Sequence, residues 1–384
     1  MSTNKEREIY FDHAASTAVS PESLAVFEQV SREFFGNPSA LHKKGVEARK
    51  ILNKSRETVA QCLGCQSNEF WFTPGGTFSN NLAVFGTLSA YSNPALLRRK
   101  NIVVSKVEHK SVSEPFKQLE KHGVCVRYAD IDSRGILNFD SLEKAVDQDT
   151  ALVSIMHVNN ELGIVLPVND IYGLVKQINP NTTVHCDAVQ GFCKINERLK
   201  ADIVSVSGHK IGAVRGVGGI LIRKSAKLSP VFFGGGQEGK FAPGTENLAA
   251  AASFSEAVSL WSEENFKYVS ELNNYIRGKL SLIPGCTLPE LQCRVSPYIL
   301  CFSVNGIYAN TLLNALSDEG IYISVGSACS SRGEPNHTML ALGFSPEYSK
   351  QLVRVSFSRA STMEEADVFC DKLDCLIKKL LARN

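Results

Sequence analysis

Seven short β-rich runs, at residues 69–73, 101–107, 124–130, 151–158, 182–186, 202–206 and 218–223, punctuate the first part of the chain. Helical patterns at 48–63, 115–122, 141–147 and 168–178 fall between several of them. Strands alternating with helices imply βαβ units and a mostly parallel sheet. Ser20-Pro21 supplies a helix cap followed by proline at the first helical position. Beyond Gly234-Gly235-Gly236 the pattern changes, and a long helical stretch near 248–282 precedes mixed strand and helix signals. The expected architecture is therefore α/β. A large domain spans residues 14–260, a smaller α+β domain takes residues 1–13 and 261–384, and the boundary falls near Trp261.

A chain of 384 residues with 43% hydrophobic and 21% charged side chains has enough apolar material for such cores. Its 41 basic residues against 39 acidic ones leave a formal charge of +2, which gives no basic field for nucleic acid or an anionic membrane. No apolar run approaches the length of a membrane span, and the polar start is unlike a signal peptide. The eleven cysteines are odd in number and lack a repeating metal-ligand spacing. Cys125, Cys186 and Cys301 sit among apolar residues, as buried thiols do. Cys62-Leu63-Gly64-Cys65 has the form of a redox or zinc half-site, but it ends a helical pattern and no second such pair completes it. Reduced thiols, no metal and a cytoplasmic location are expected.

In open α/β sheets, ligands bind beyond the carboxyl ends of the strands. There the chain places Pro74-Gly75-Gly76-Thr77, Glu108-His109, Asn159-Asn160-Glu161, Asp187-Ala188-Val189-Gln190 and Ser207-Gly208-His209-Lys210. Each group alone is an ordinary turn; their shared edge is not. Backbone amides and a hydroxyl at Gly76 and Thr77 suit a phosphate. An amine such as Lys210 forms a Schiff base with an aldehyde, and an acid such as Asp187 pairs with a protonated pyridine nitrogen. His109 is placed to stack on such a ring and exchange protons, while Ser207 and His209 add phosphate contacts. These groups describe a pyridoxal-phosphate site.

A second segment, Ser324-Val325-Gly326-Ser327-Ala328-Cys329-Ser330-Ser331-Arg332-Gly333, is small and polar with a single cysteine. It reads as a mobile loop carrying an accessible, reactive thiol. Downstream, residues 353–357 alternate as a strand and place Arg354 and Ser356 on one face. There the arginine could clamp a carboxylate through paired hydrogen bonds.

With these motifs in order, the chain resembles the cysteine desulfurases of the long-loop (group I) branch, within the class V aminotransferase-like enzymes. The resemblance runs from Tyr10-Phe11-Asp12-His13 to the segment 354–362, through Phe35-Gly36-Asn37-Pro38, His157-Val158-Asn159-Asn160-Glu161, Gly234-Gly235-Gly236-Gln237-Glu238 and Gly326-Ser327-Ala328-Cys329. It implies the fold type I of pyridoxal-phosphate enzymes. Lys210 is then the Schiff-base lysine, Asp187 the pyridinium partner, and His109 the stacking acid/base. Asn160 and Gln190 contact the O3′ side, and Gly76, Thr77, Ser207 and His209 surround the phosphate. Thr245 reaches the phosphate of a second subunit in a homodimer, and Arg354 binds the substrate carboxylate, with Asn160 beside it. Cys329 takes sulfur from L-cysteine, leaving L-alanine and a persulfide for an acceptor protein serving iron–sulfur assembly or tRNA thiolation.

The chain departs from the family pattern in places. Pro74-Gly75-Gly76-Thr77-Phe78-Ser79-Asn80-Asn81 keeps the threonine but lacks two usual acids. Gly212-Ala213-Val214-Arg215-Gly216 keeps a base, and Ala242-Pro243-Gly244-Thr245 lacks a usual arginine. The sequence stops soon after a helical segment, without the longer tail that some relatives use for scaffold docking. A selenocysteine lyase or an aminotransferase would share Lys210 and Asp187 without needing Cys329, and a non-catalytic descendant would lack a cofactor band.

Overall fold

The computed structural model describes residues 8–91, 100–325 and 337–382. A short strand, β1 (Ile9–Tyr10), precedes the seven expected runs. These form β2 (Phe70–Thr73), β3 (Asn101–Ser105), β4 (Cys125–Ala129), β5 (Thr150–Met156), β6 (Thr183–Asp187), β7 (Ile203–Ser207) and β8 (Gly218–Ile222). All seven join one sheet in the order β2-β8-β7-β6-β5-β3-β4. The pairs β7-β6, β6-β5, β5-β3 and β3-β4 are parallel, whereas β8 runs antiparallel to β2 and to β7. The connection from β7 to β8 is too short for a crossover, which forces that reversal. Every residue of β3, β5, β6, β7 and β8 is buried, as helices on both faces require.

Helix 21–33 starts where Ser20-Pro21 places it, with the Ser20 hydroxyl accepting from the Ser23 amide at 3.1 Å. Helix 43–63 ends at Gly64, whose φ of +65° is the left-handed conformation of a helix stop. Three expectations need correction. Helix 110–121 begins five residues before Pro115, because the His109 ring caps it by accepting from the Ser111 amide at 3.1 Å. Pro115 has no N–H for the Ser111 carbonyl, which accepts from Asn81 Nδ2 at 3.4 Å instead. The stretch near 248–282 is two helices, 248–259 and 263–280, since Ser262 and Asn265 form a capping box that starts the second. Cys125 is also exposed rather than buried, because β4 is the edge strand.

The C-terminal part carries β9 (Cys286–Thr287), β10 (Ile299–Val304), β11 (Ile321–Tyr322) and β12 (Leu352–Ser356). The antiparallel order is β12-β10-β9, while β1 pairs in parallel with β11. Ile9, Phe11, Leu272, Ile276, Phe302 and Phe369 belong to one buried apolar cluster distinct from those around the large sheet. Trp261 packs against both this cluster and the one containing Phe254. The N-terminal strand is thereby fastened to the C-terminal sheet, and Asp12 bridges to Ser356. Among the described residues, no helix is long and apolar enough to cross a membrane.

Candidate active site

The strand exits open on a cavity of about 730 Å³. Its wall includes Gly76, Thr77, His109, Asn160, Asp187, Gln190, Ser207, His209, Lys210 and Arg354. Thr245 is exposed and is not part of that wall, and Cys329 lies outside the described residues. Ser324 and Thr338, which flank the segment containing Cys329, both line the cavity. No described group of His, Cys, Asp and Glu side chains could hold a metal ion.

Lys210 ends a 3₁₀ turn, 208–210, directly after β7. Its Nζ donates to the carbonyls of Ala14 and Ala15 at 2.6 and 2.8 Å. Burial, reinforced by Arg354, pushes the amine down to about 8. An amine so shifted is a usable nucleophile near neutral pH.

Asp187 closes β6 and is 4% exposed. One carboxylate oxygen accepts from the Val189 amide at 3.0 Å and the other from Asn80 Nδ2 at 2.7 Å. Asn80 Nδ2 also donates to Ser111 Oγ at 2.8 Å, and that hydroxyl lies 2.7 Å from His109 Nδ1. The Ser111 amide can only donate, so Nδ1 is an acceptor and the neutral ring carries its proton on Nε2. Burial, helped by the charges of Lys210 and Lys110 and opposed by Asp187, holds the His109 pKa below the ordinary histidine value. Burial likewise lowers His209 to about 4.

Beside the Asp187 turn, helix 76–89 starts without a side-chain cap among the described residues, so its first amides are available to an anion beside Thr77. A Cβ on Gly76 would meet Val189 Cγ2 at 2.7 Å, so glycine allows the helix start to approach the Asp187 turn. Arg354, 4% exposed, donates from Nη1 to the Asn160 carbonyl at 2.6 Å and from Nη2 to Asp12 at 2.8 Å. Among the described residues its buried Nε has no partner, nor does Gln190 Oε1.

The residue reading gave no site role to Ser111 and Asp12, which line the cavity, or to Asn80, which is buried behind it, and it named Glu108 at the strand exit without a role. Asn80 lies one helical turn beyond Thr77, a spacing that puts both on one face. Asp12 was legible only as a motif member. The buried carboxyl of Glu108 accepts from Ser105 Oγ at 2.5 Å and from the Met156 amide at 2.7 Å.

The groups present fit pyridoxal phosphate. An amine of lowered pKa, a fixed carboxylate and an imidazole ring line the cavity, with a helix start that lacks a side-chain cap at its wall. Unpartnered Gln190 and Arg354 atoms leave polar capacity for ligands. Fold and site together define a pyridoxal-phosphate-dependent α/β enzyme. The sequence pattern of the family described as "Aminotransferase class-V" matches residues 9–369. A "NifS/IcsS protein homolog" of Lactobacillus delbrueckii subsp. bulgaricus is 38% identical, with 95% of this chain and 96% of that protein covered. A "Cysteine desulfurase IscS" of Dictyoglomus turgidum is 36% identical, covering 98% and 96%. A solved "NIFS-LIKE PROTEIN" superposes with a TM-score of 0.89 at 34% identity, over 97% of this chain and all of that one. The chain belongs to the class-V aminotransferase family and, within it, to the cysteine desulfurases.

Proposed function

We propose that the protein removes the sulfur atom of L-cysteine, releasing L-alanine and leaving a persulfide on Cys329. The observation that carries this is the position of Ser324 and Thr338 on the wall that also holds Lys210, His109 and Arg354. Cys329 follows Ser324 by five residues, within about 17 Å of extended chain. Pyridoxal phosphate, when bound, supplies the electron sink for carbanion chemistry at the substrate.

The chain's own groups do the rest. Lys210 would hold the cofactor and exchange a proton at Nζ; Asp187 would pair with the pyridine nitrogen, and His109, with its proton on Nε2, would serve as the acid/base beside the ring. Asn160 and Gln190 would take the O3′ side, while Gly76, Thr77, Ser207 and His209 would hold the phosphate. Arg354 fixes the substrate carboxylate, which orients the γ-sulfur. The Cys329 thiolate attacks that sulfur, the C–S bond breaks with its electron pair left on carbon, and a proton returned to Cβ completes alanine. Sulfur is transferred, and no external oxidant is consumed.

The same reading includes a homodimer, with Thr245 completing the phosphate site of the second copy, and a two-domain division at Trp261. It includes a cytoplasmic location and an acceptor protein for the persulfide sulfur, serving iron–sulfur assembly or tRNA thiolation. Alanine release from L-cysteine by the cofactor-loaded protein, compared with L-alanine and L-aspartate as amino donors to a keto acid, tests the reaction class. Transamination without desulfuration would replace this reading.

A further inference from the structure

The Cys62-Leu63-Gly64-Cys65 motif does not act as a pair, because Cys62 faces a different thiol. Its Sγ lies 3.7 Å from Cys193 Sγ, across 131 residues of sequence. Cys62 sits in the last turn of helix 43–63 and is exposed, while Cys193 is half-buried.

Both sides are held in place. The helix end is closed by the Cys65 amide bonding to the Ala60 carbonyl at 2.9 Å, and Arg198 donates to the Gly64 carbonyl at 2.6 Å. Cys193 belongs to a hydrogen-bonded turn descending from Asp187, in which the amides of Lys194 and Ile195 both bond to Gly191 O. Its φ of +63° is one that a residue with a side chain keeps only where the surrounding fold imposes it. Cys65, by contrast, has no such thiol contact among the described residues.

We propose that Cys62 and Cys193 form a redox-active dithiol that is oxidised to a disulfide by a low-molecular-weight disulfide such as oxidised glutathione. Cys62 Sγ attacks one sulfur of the reagent and expels the first thiolate. Cys193 Sγ then attacks Cys62 Sγ and expels the second. The protein loses two protons and two electrons, and the reagent becomes two thiols. Bond formation draws the sulfurs from 3.7 Å to about 2 Å, a small movement for an exposed helix terminus. A hydrogen bond from Cys193 lowers the Cys62 pKa, while burial raises that of Cys193, so Cys62 is the attacking thiol. The bond would fasten the turn that follows Asp187 and Gln190 to helix 43–63, marking the cofactor wall with the redox state of the surroundings.

The test incubates the purified full chain in glutathione buffers of increasing oxidised fraction, followed by acid quench, alkylation and tandem mass spectrometry. Fragmentation is needed because Cys65 and Cys186 share tryptic peptides with Cys62 and Cys193. A Cys62–Cys193 cross-link that forms in one two-electron step and is reversed by dithiothreitol is expected. Cys193→Ser should retain a glutathione adduct on Cys62, and Cys62→Ser should leave Cys193 alkylated. The oxidised wild type should melt several degrees higher than the reduced form, a shift absent in both variants. Recovery of both residues as thiols at the most oxidising ratio would overturn the proposal. So would separate glutathione adducts on the two residues, or a Cys62–Cys65 bond.

Discussion

The Arg354 guanidinium donates to the Asp12 carboxylate at 2.8 Å, joining residues 342 positions apart in sequence. Asp12 follows β1 and Arg354 lies in β12, so a contact between the chain's two ends sets one wall of the cavity. An incoming substrate carboxylate competes with Asp12 or uses the unpartnered Nε. Arg354→Gln should raise KM for L-cysteine at least ~10-fold, since a hydrogen bond to a charged group is worth about 1.5–3 kcal/mol. Asp12→Asn should lower KM while costing on the order of 3 kcal/mol of stability, because it leaves a buried guanidinium without its counter-charge. Steady-state kinetics and denaturant unfolding separate the two effects.

Lys210 should capture pyridoxal phosphate covalently, as borohydride trapping and peptide mapping would reveal. The free base is the nucleophile, and burial holds its pKa at about 8. The capture rate should therefore climb with pH and level off above about 8, whereas an ordinary lysine continues towards 10.5. Lys210→Ala should show no label at this position.

Glu108 gives a stability signature. Burial raises its carboxyl from 4.5 to about 8, so between these values the folded state holds a proton that the unfolded state releases. The unfolded state binds fewer protons there, and stability falls as pH rises through that window. Glu108→Gln cannot ionise. Stability of wild type relative to the variant should fall by on the order of 4 kcal/mol from pH 4.5 to 8, at about 1.4 kcal/mol per unit. Chemical denaturation across that range measures it.

Asn80 orients the Asp187 carboxylate and connects it to Ser111 and His109. Asn80→Ala removes both donated hydrogen bonds, and pyridoxal phosphate affinity should drop ~10–100-fold. Fluorescence titration of the cofactor-free protein would show this, and an unchanged dissociation constant would remove Asn80 from the site.

The polar strand exits were legible because strand ends in an α/β sheet share one edge, so Asp187, His109 and Lys210 could be brought together from sequence. Asp12 was not, because its partner is fixed by the pairing of β1 with β11, which hydrophobic periodicity does not specify. Asn80 was hidden by its type, since a buried amide within a helix resembles a solvated one until its partners are known. Pro115 misplaced a helix start for a similar reason. The His109 cap and the Asn81 side chain together make an interior proline tolerable: histidine is not a usual cap residue, and the Asn81 contact spans 30 residues. The pairing of Cys62 with Cys193 rather than Cys65 likewise depends on how the helix end meets the Asp187 turn.

The most direct test of desulfuration through Cys329 is a single exposure of the cofactor-loaded protein to L-cysteine without reductant, followed by mass spectrometry of the peptide containing Cys329. One added sulfur atom on that peptide, matched by one equivalent of L-alanine and absent in Cys329→Ser, is the expected result. Alanine formation at the wild-type rate in Cys329→Ser, with no sulfur on the wild-type peptide, would contradict it.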